Sequence, residues 1–127
     1  MLLRKVEHIG INVSDMDRSI KFYTEVLGLN LRTRVRLSEQ SELAFLAIGD
    51  AELELVATGG AIEHARQGVV NHLAFTVDDV STVLAHLKKH AVHLLNDEPI
   101  VIEPLGVKIA FFHGPDGEKL ELFSAPG

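Results

Sequence analysis

Apolar and polar residues alternate in two stretches of the chain that match each other. In 70–77 (VNHLAFTV), Leu73, Phe75 and Val77 fall on one face of an extended backbone, and His72, Ala74 and Thr76 on the other. In 6–13 (VEHIGINV), Ile9, Ile11 and Val13 form the apolar face, and His8, Gly10 and Asn12 the small, polar one. Each stretch leads into a helix signal. Ser14-Asp15 supplies a cap before Met16, Ile20, Tyr23 and Leu27 at helical spacing, with Phe22 and Val26 widening the stripe. Gly28 closes that helix as a left-handed residue. Asp78-Asp79 caps the second helix, whose Val80, Val83, Leu84 and Leu87 share a face and which ends near His90. Strands are predicted at 5–13, 29–37, 42–48 and 51–57, then at the His72 stretch, 92–95, 107–112 and 119–123, with GPDG as a tight turn before the last.

The pattern is therefore α+β, two tandem βαβββ units. The first covers about 5–57, a linker without strong period about 58–68, and the second about 69–124. A duplication should match separate motifs at nearly one offset, and this one does. His72 follows His8 by 64 positions (72 − 8), Ala110-Phe111 follows Ala44-Phe45 by 66 (110 − 44), and Leu120-Glu121-Leu122 follows Leu53-Glu54-Leu55 by 67 (120 − 53). Turn insertions explain the drift. Packing demands apolar matches of any two similar strands, but it does not demand that His match His and Glu match Glu.

The repeat singles out His8, Glu54, His72 and Glu121. Each alone reads as a strand-end or solvated residue, whereas the matched four, opposite the apolar faces, read as a set of two nitrogens and two oxygens for a divalent metal. Such a set suits Ni, Zn, Co, Mn or Fe, and leaves two open octahedral positions for a substrate with adjacent oxygens. Glu52 shares a face with Glu54, but only Glu54 stands between two leucines as Glu121 does. His86 and His90, four apart on the second helix, read as surface residues. His64, His93 and His113 are given no metal role. Arg32, Arg34 and Arg36 share a strand face, read as a solvated edge in preference to a pocket mouth holding an anionic tail.

Composition narrows the classes. The 127 residues, 46% apolar, are enough for one domain with a full core. A net charge of −6 with no basic run argues against a nucleic-acid partner. Cysteine is absent, so a metal must sit on imidazole and carboxylate. No apolar run approaches a membrane span or a signal peptide, so a cytoplasmic protein that does not engage a membrane is expected.

The segments HIGINVSDMDRSIKFYTEVLGL, LELV, NHLAFTVDDV and IAFFHGPDGEKLELF resemble the vicinal oxygen chelate (glyoxalase/bleomycin resistance/dioxygenase) superfamily over nearly the whole chain. The resemblance implies a cupped, mostly antiparallel eight-stranded sheet with helices on the convex side, and a metal held by two residues from each half. Within that group the His, Glu, His, Glu set is most similar to short bacterial glyoxalase I, which implies His8, Glu54, His72 and Glu121 as ligands. Where glutathione-using members carry Arg and Asn, this chain has Asn12 and Thr58, so the thiol co-substrate is left open.

The expected chemistry is proton abstraction next to a carbonyl, with Glu54 or Glu121 as base and an enediolate stabilised by the metal. That describes a lactoylglutathione lyase-like enzyme acting on a small-molecule substrate. A methylmalonyl-CoA epimerase-like thioester epimerase and a non-catalytic, antibiotic-binding protein are the alternatives. A homodimer is expected, because open units leave sheet edges to cover.

Overall fold

The computed structural model describes residues 2–59 and 68–125. Residues 60–67, which hold most of the expected linker and His64, lie outside them. The backbone divides into two compact units, Met1–Ile62 and Glu63–Gly127. Among the described residues no helix is long and apolar enough to cross a membrane.

The first unit runs β1 (His8–Asn12), α1 (Met16–Lys21), a π-helical turn (Phe22–Val26), β2 (Asn30–Arg36), β3 (Glu42–Ile48) and β4 (Ala51–Ala57). Its sheet has the order β1-β4-β3-β2, with β1 parallel to β4 and the other pairs antiparallel. The second unit runs β5 (Leu73–Thr76), α2 (Val80–Lys89), β6 (Ile100–Ile102), a 3-10 turn (Glu103–Leu105), β7 (Val107–His113) and β8 (Lys119–Ser124). Its order is β5-β8-β7-β6, again with one parallel pair, β5 with β8. The tandem βαβββ arrangement is thus present as two four-stranded mixed sheets and two helices.

Alternation along the strands divides each sheet into a helix-covered face and a polar face. In the first unit the cross-strand pairs Ala44–Leu55 and Leu46–Leu53 are buried and face Met16 and Tyr23 of the helical segment. In the second, Ala110–Leu122 and Phe112–Leu120 are buried beside Val80, Leu84 and Leu87 of α2. Phe45 pairs with Glu54, and Phe111 with Glu121, on the opposite faces.

Asp15 caps α1 as expected, its Oδ1 accepting from the backbone N–H of Arg18 at 3.0 Å. Met16 and Tyr23 of the predicted stripe are buried, but Ser19 is buried with them, while Ile20 and Leu27 are half-buried. After Lys21 the helix widens, and the Leu27 N–H reaches back five residues to the Phe22 carbonyl at 3.1 Å. The Thr24 hydroxyl donates to the Ile20 carbonyl at 2.7 Å, occupying an acceptor that the regular ladder would use. Gly28, at φ +82°, closes the helix, with the Leu29 N–H donating to the Tyr23 carbonyl.

Two expectations need correction. The strand predicted at 92–95 is a single bridge, Leu94 with Phe112, and the paired strand is β6. Both segments run antiparallel to β7, but NDEP at 96–99 interrupts them. Asn96 Oδ1 accepts the Phe111 N–H at 2.8 Å in place of a backbone partner, and Pro99 has no N–H to give. The arginines, moreover, do not share a face. β2 shifts register between Leu31 and Thr33, leaving Arg32 as the surplus residue of a bulge. Its guanidinium turns to Glu52, whereas Arg34 and Arg36 pair with Glu42 on the other side of the sheet.

Candidate metal centre

His8 is the first residue of β1, and Glu54 lies on the adjacent β4. Gly10 pairs with Glu54 across the parallel ladder, so His8, two residues earlier, shares the face onto which Glu54 projects. His8 Nε2 is 3.9 Å from Glu54 Oε1. The second unit repeats the construction with Ala74 opposite Glu121. His72, expected within a strand, sits immediately before β5, and its Nε2 is 2.8 Å from Glu121 Oε1. The Glu121 side chain is only 8% exposed, against 19% for Glu54.

The other ring nitrogen of each histidine is also engaged. His72 Nδ1 lies 2.8 Å from Asn71 Oδ1, and His8 Nδ1 3.3 Å from Glu7 Oε1. The Asn71 oxygen can only accept, so the proton of a neutral His72 ring sits on Nδ1. Its Nε2 lone pair then faces a carboxylate oxygen. Two acceptors at that separation repel, and either a proton on Nε2 or a metal cation held by both groups removes the conflict. The donors present, imidazole nitrogen and carboxylate oxygen without sulfur, fit a borderline or hard divalent ion.

An aromatic edge fixes each ring plane. Phe45 meets His8 in a T-shaped contact at 6.1 Å between centroids, and Phe111 meets His72 at 5.4 Å. A cation covers each phenylalanine: the Arg32 guanidinium at 5.2 Å from the Phe45 centroid and Lys119 Nζ at 4.5 Å from that of Phe111. The sequence pattern offers Arg32 only as one of a row of three and gives Phe45, Phe111 and Lys119 no role at the site. The repeat had flagged the two phenylalanines through their shared Ala-Phe dipeptide, but a bulge that redirects Arg32 leaves no such trace.

Glu52 takes the Arg32 guanidinium bidentately, and that hydrogen bond holds its carboxyl below the usual carboxylate range. Arg34 does the same to Glu42, and also bonds Asp17. The arginines are thus spent on internal carboxylates.

Of the remaining histidines, His86 and His90 stand with ring centroids 4.7 Å apart on α2. His93 and His113 meet Nδ1 to Nδ1 at 2.9 Å, and burial, followed by the charge of His93, pushes His113 below the ordinary imidazole value. Among the described residues no three His, Asp or Glu side chains gather at one point. The structure brings His8 to Glu54 and His72 to Glu121, one pair in each unit.

This arrangement of strands, with a polar face bearing one His–Glu pair per repeat, agrees with the sequence comparisons: residues 5–122 match the Glyoxalase/Bleomycin resistance protein/Dioxygenase superfamily, and the chain belongs to it. It is 36% identical over 126 residues to an uncharacterized protein of Bacillus subtilis, covering 96% of this chain and 98% of that one. It is 33% identical over 126 residues to a probable lactoylglutathione lyase of Vibrio cholerae, covering 93% and 88%. Among solved structures, the trypanothione-dependent glyoxalase I of Leishmania major superposes with a TM-score of 0.79 at 32% identity, covering 96% of this chain and 87% of that one.

Proposed function

We propose that the protein is a metal-dependent glyoxalase I-like lyase, in which His8, Glu54, His72 and Glu121 together hold a divalent ion of the Ni, Zn, Co, Mn or Fe class. The observation that carries this reading is the facing of His72 Nε2 and Glu121 Oε1 at 2.8 Å, repeated more loosely at His8 and Glu54. The similarity to lactoylglutathione lyases supports the reaction class. The ion, when bound, supplies Lewis acidity toward two adjacent substrate oxygens and so stabilises the negative charge that develops between them.

The residues do the rest. A carboxylate, Glu54 or Glu121, takes the carbon-bound proton of a hemithioacetal formed from methylglyoxal and a thiol. It returns that proton to the neighbouring carbon while the hydroxyl proton passes from the first oxygen to the second, so that C1 becomes the thioester carbonyl and C2 the carbinol of a 2-hydroxyacyl thioester. The reaction is an isomerisation, so no oxidant or reductant enters. Phe45 and Phe111 hold the imidazole planes, and Gly10 and Ala74 keep the strand face beside each carboxylate free of bulk. Because β1 and β2 are edges of one sheet and β5 and β6 of the other, assembly as a homodimer completes the proposal.

Elemental analysis of protein purified without chelator is expected to find a transition metal, lost in Glu54→Ala and Glu121→Ala. Metal-loaded protein is expected to turn over methylglyoxal with glutathione, bacillithiol or another small thiol. Absence of turnover with every thiol overturns the reaction. Absence of metal in the unaltered protein overturns the site.

A further inference from the structure

We propose that Asn71 and Glu7 are positioning residues for the two imidazoles: each, from the place directly before its histidine, accepts a hydrogen bond from Nδ1–H and thereby presents Nε2 as the metal-binding nitrogen. This rests on the reading of His8 and His72 as ligands. Sequence order alone would not place these side chains there. In an extended strand, successive side chains point to opposite faces, so the residue before a histidine points away from it. Both histidines, however, stand where regular pairing begins: His8 opens β1, and His72 precedes β5. Glu7 and Asn71 lie outside the strands, and there the backbone lets the preceding side chain fold back onto the ring.

The two contacts share a position in the repeat, since Asn71 follows Glu7 by the same 64 places (71 − 7) that separate the histidines. They differ in chemistry. Each is an oxygen acceptor, one an amide and one a carboxylate, and an oxygen acceptor on Nδ1 selects the tautomer with its lone pair on Nε2. Each ring is therefore held twice, in its plane by the phenylalanine edge and against a half-turn flip by the acceptor on Nδ1. A ring so held loses less freedom when it coordinates. The second unit is the tighter of the two, with 2.8 Å on both nitrogens of His72 against 3.3 and 3.9 Å on those of His8. Asn71 is accordingly the stronger positioning residue.

The test uses full-length, zinc-loaded protein and two readouts other than activity. Nitrogen NMR of the imidazoles at alkaline pH is expected to show the Nδ1–H tautomer with Nε2 on zinc for His8 and His72. Zinc release to an excess of chelator is expected to accelerate about 10- to 100-fold in Asn71→Ala, less in Glu7→Ala, and to return toward the unaltered rate in Asn71→Asp, which keeps the acceptor. Nδ1 coordination in the unaltered protein overturns the proposal, as does release within twofold of normal in both alanine variants. Equally fast loss from Asn71→Asp and Asn71→Ala, with the amide NMR spectrum of each still folded, overturns the role of the acceptor. Failure of the unaltered protein to hold zinc or any other divalent metal overturns the ligand assignment itself, a result separate from those three.

Discussion

Gly10 on β1 stands directly across the parallel ladder from Glu54 on β4, and a methyl group added at Gly10 would lie 3.5 Å from Glu54 Oε1. That is ordinary van der Waals contact, so Gly10→Ala is expected to fold and to keep its metal. A longer branched chain at the same place projects over the polar face beside the carboxylate and competes with it for space. Gly10→Leu is therefore expected to lower metal content while leaving the buried face intact, measured as metal per chain beside the thermal unfolding of the metal-free protein. Equal metal content in the two variants would contradict the arrangement.

The buried Ser19 gives a prediction of opposite sign. Its hydroxyl has no hydrogen-bond partner among the described residues and is fully buried. An unsatisfied buried polar group costs about 1–3 kcal/mol. Ser19→Ala removes that atom and adds nothing, so it is expected to stabilise the protein by about 1 kcal/mol in urea unfolding. A loss of stability would mean that the hydroxyl has a partner.

Phe112 is the largest wholly apolar side chain in the second core, paired with Leu120 and fully buried. Phe112→Ala is expected to cost about 3–5 kcal/mol, through lost transfer energy and a residual cavity. Its neighbour Phe111 faces the other way, against His72 and Lys119. Phe111→Ala is expected to weaken metal retention more than stability, and comparison of the two variants measures the division of faces directly.

The pairing of His113 with His93 sets a pH dependence. Burial first, then the charge of His93, lowers His113, with Lys119 acting in the same direction and Glu118 against it. The unfolded chain then binds more protons than the folded one below the ordinary imidazole value of about 6.5. Stability from this group is complete above that pH and falls as pH drops toward the lowered folded value. His113→Asn is expected to flatten that limb of the profile. The carboxylates of Glu42 and Glu52, lowered mainly by hydrogen bonds from Arg34 and Arg32, act in a separate window. Their contribution is present above the ordinary carboxylate range and declines as pH falls through it and below.

The periodic parts of this fold were legible in the residues, and the departures from periodicity were not. Strands β3 and β4 have the limits that alternation and Gly49-Asp50 imply, and Asp15 and Gly28 bound the first helical segment as their side-chain chemistry requires. The wide turn at Phe22–Val26 escaped because its cause is a competition for one carbonyl between the Thr24 hydroxyl and the backbone. The division of the strand facing β7 escaped because Asn96 replaces a backbone acceptor, which no local pattern encodes. At the site, the repeat picked out each His–Glu pair by matching polar residues. It passed over Asn71 and Glu7 because unlike residue types make the equivalent contact in the two halves.

The bulge at Arg32 separates two kinds of consequence that usually travel together. Thr33 and Arg34 keep their partners Phe45 and Ala44, and Asn30 and Leu31 keep Ala47 and Leu46, so the ladder on either side closes without the intervening residue. Excising that one position would straighten the edge and cost the core almost nothing, yet it would strip the guanidinium from Phe45 and release Glu52 beside His8. Chain length at this single point is thus a control on the electrical character of the polar face, adjustable without disturbing what holds the unit folded.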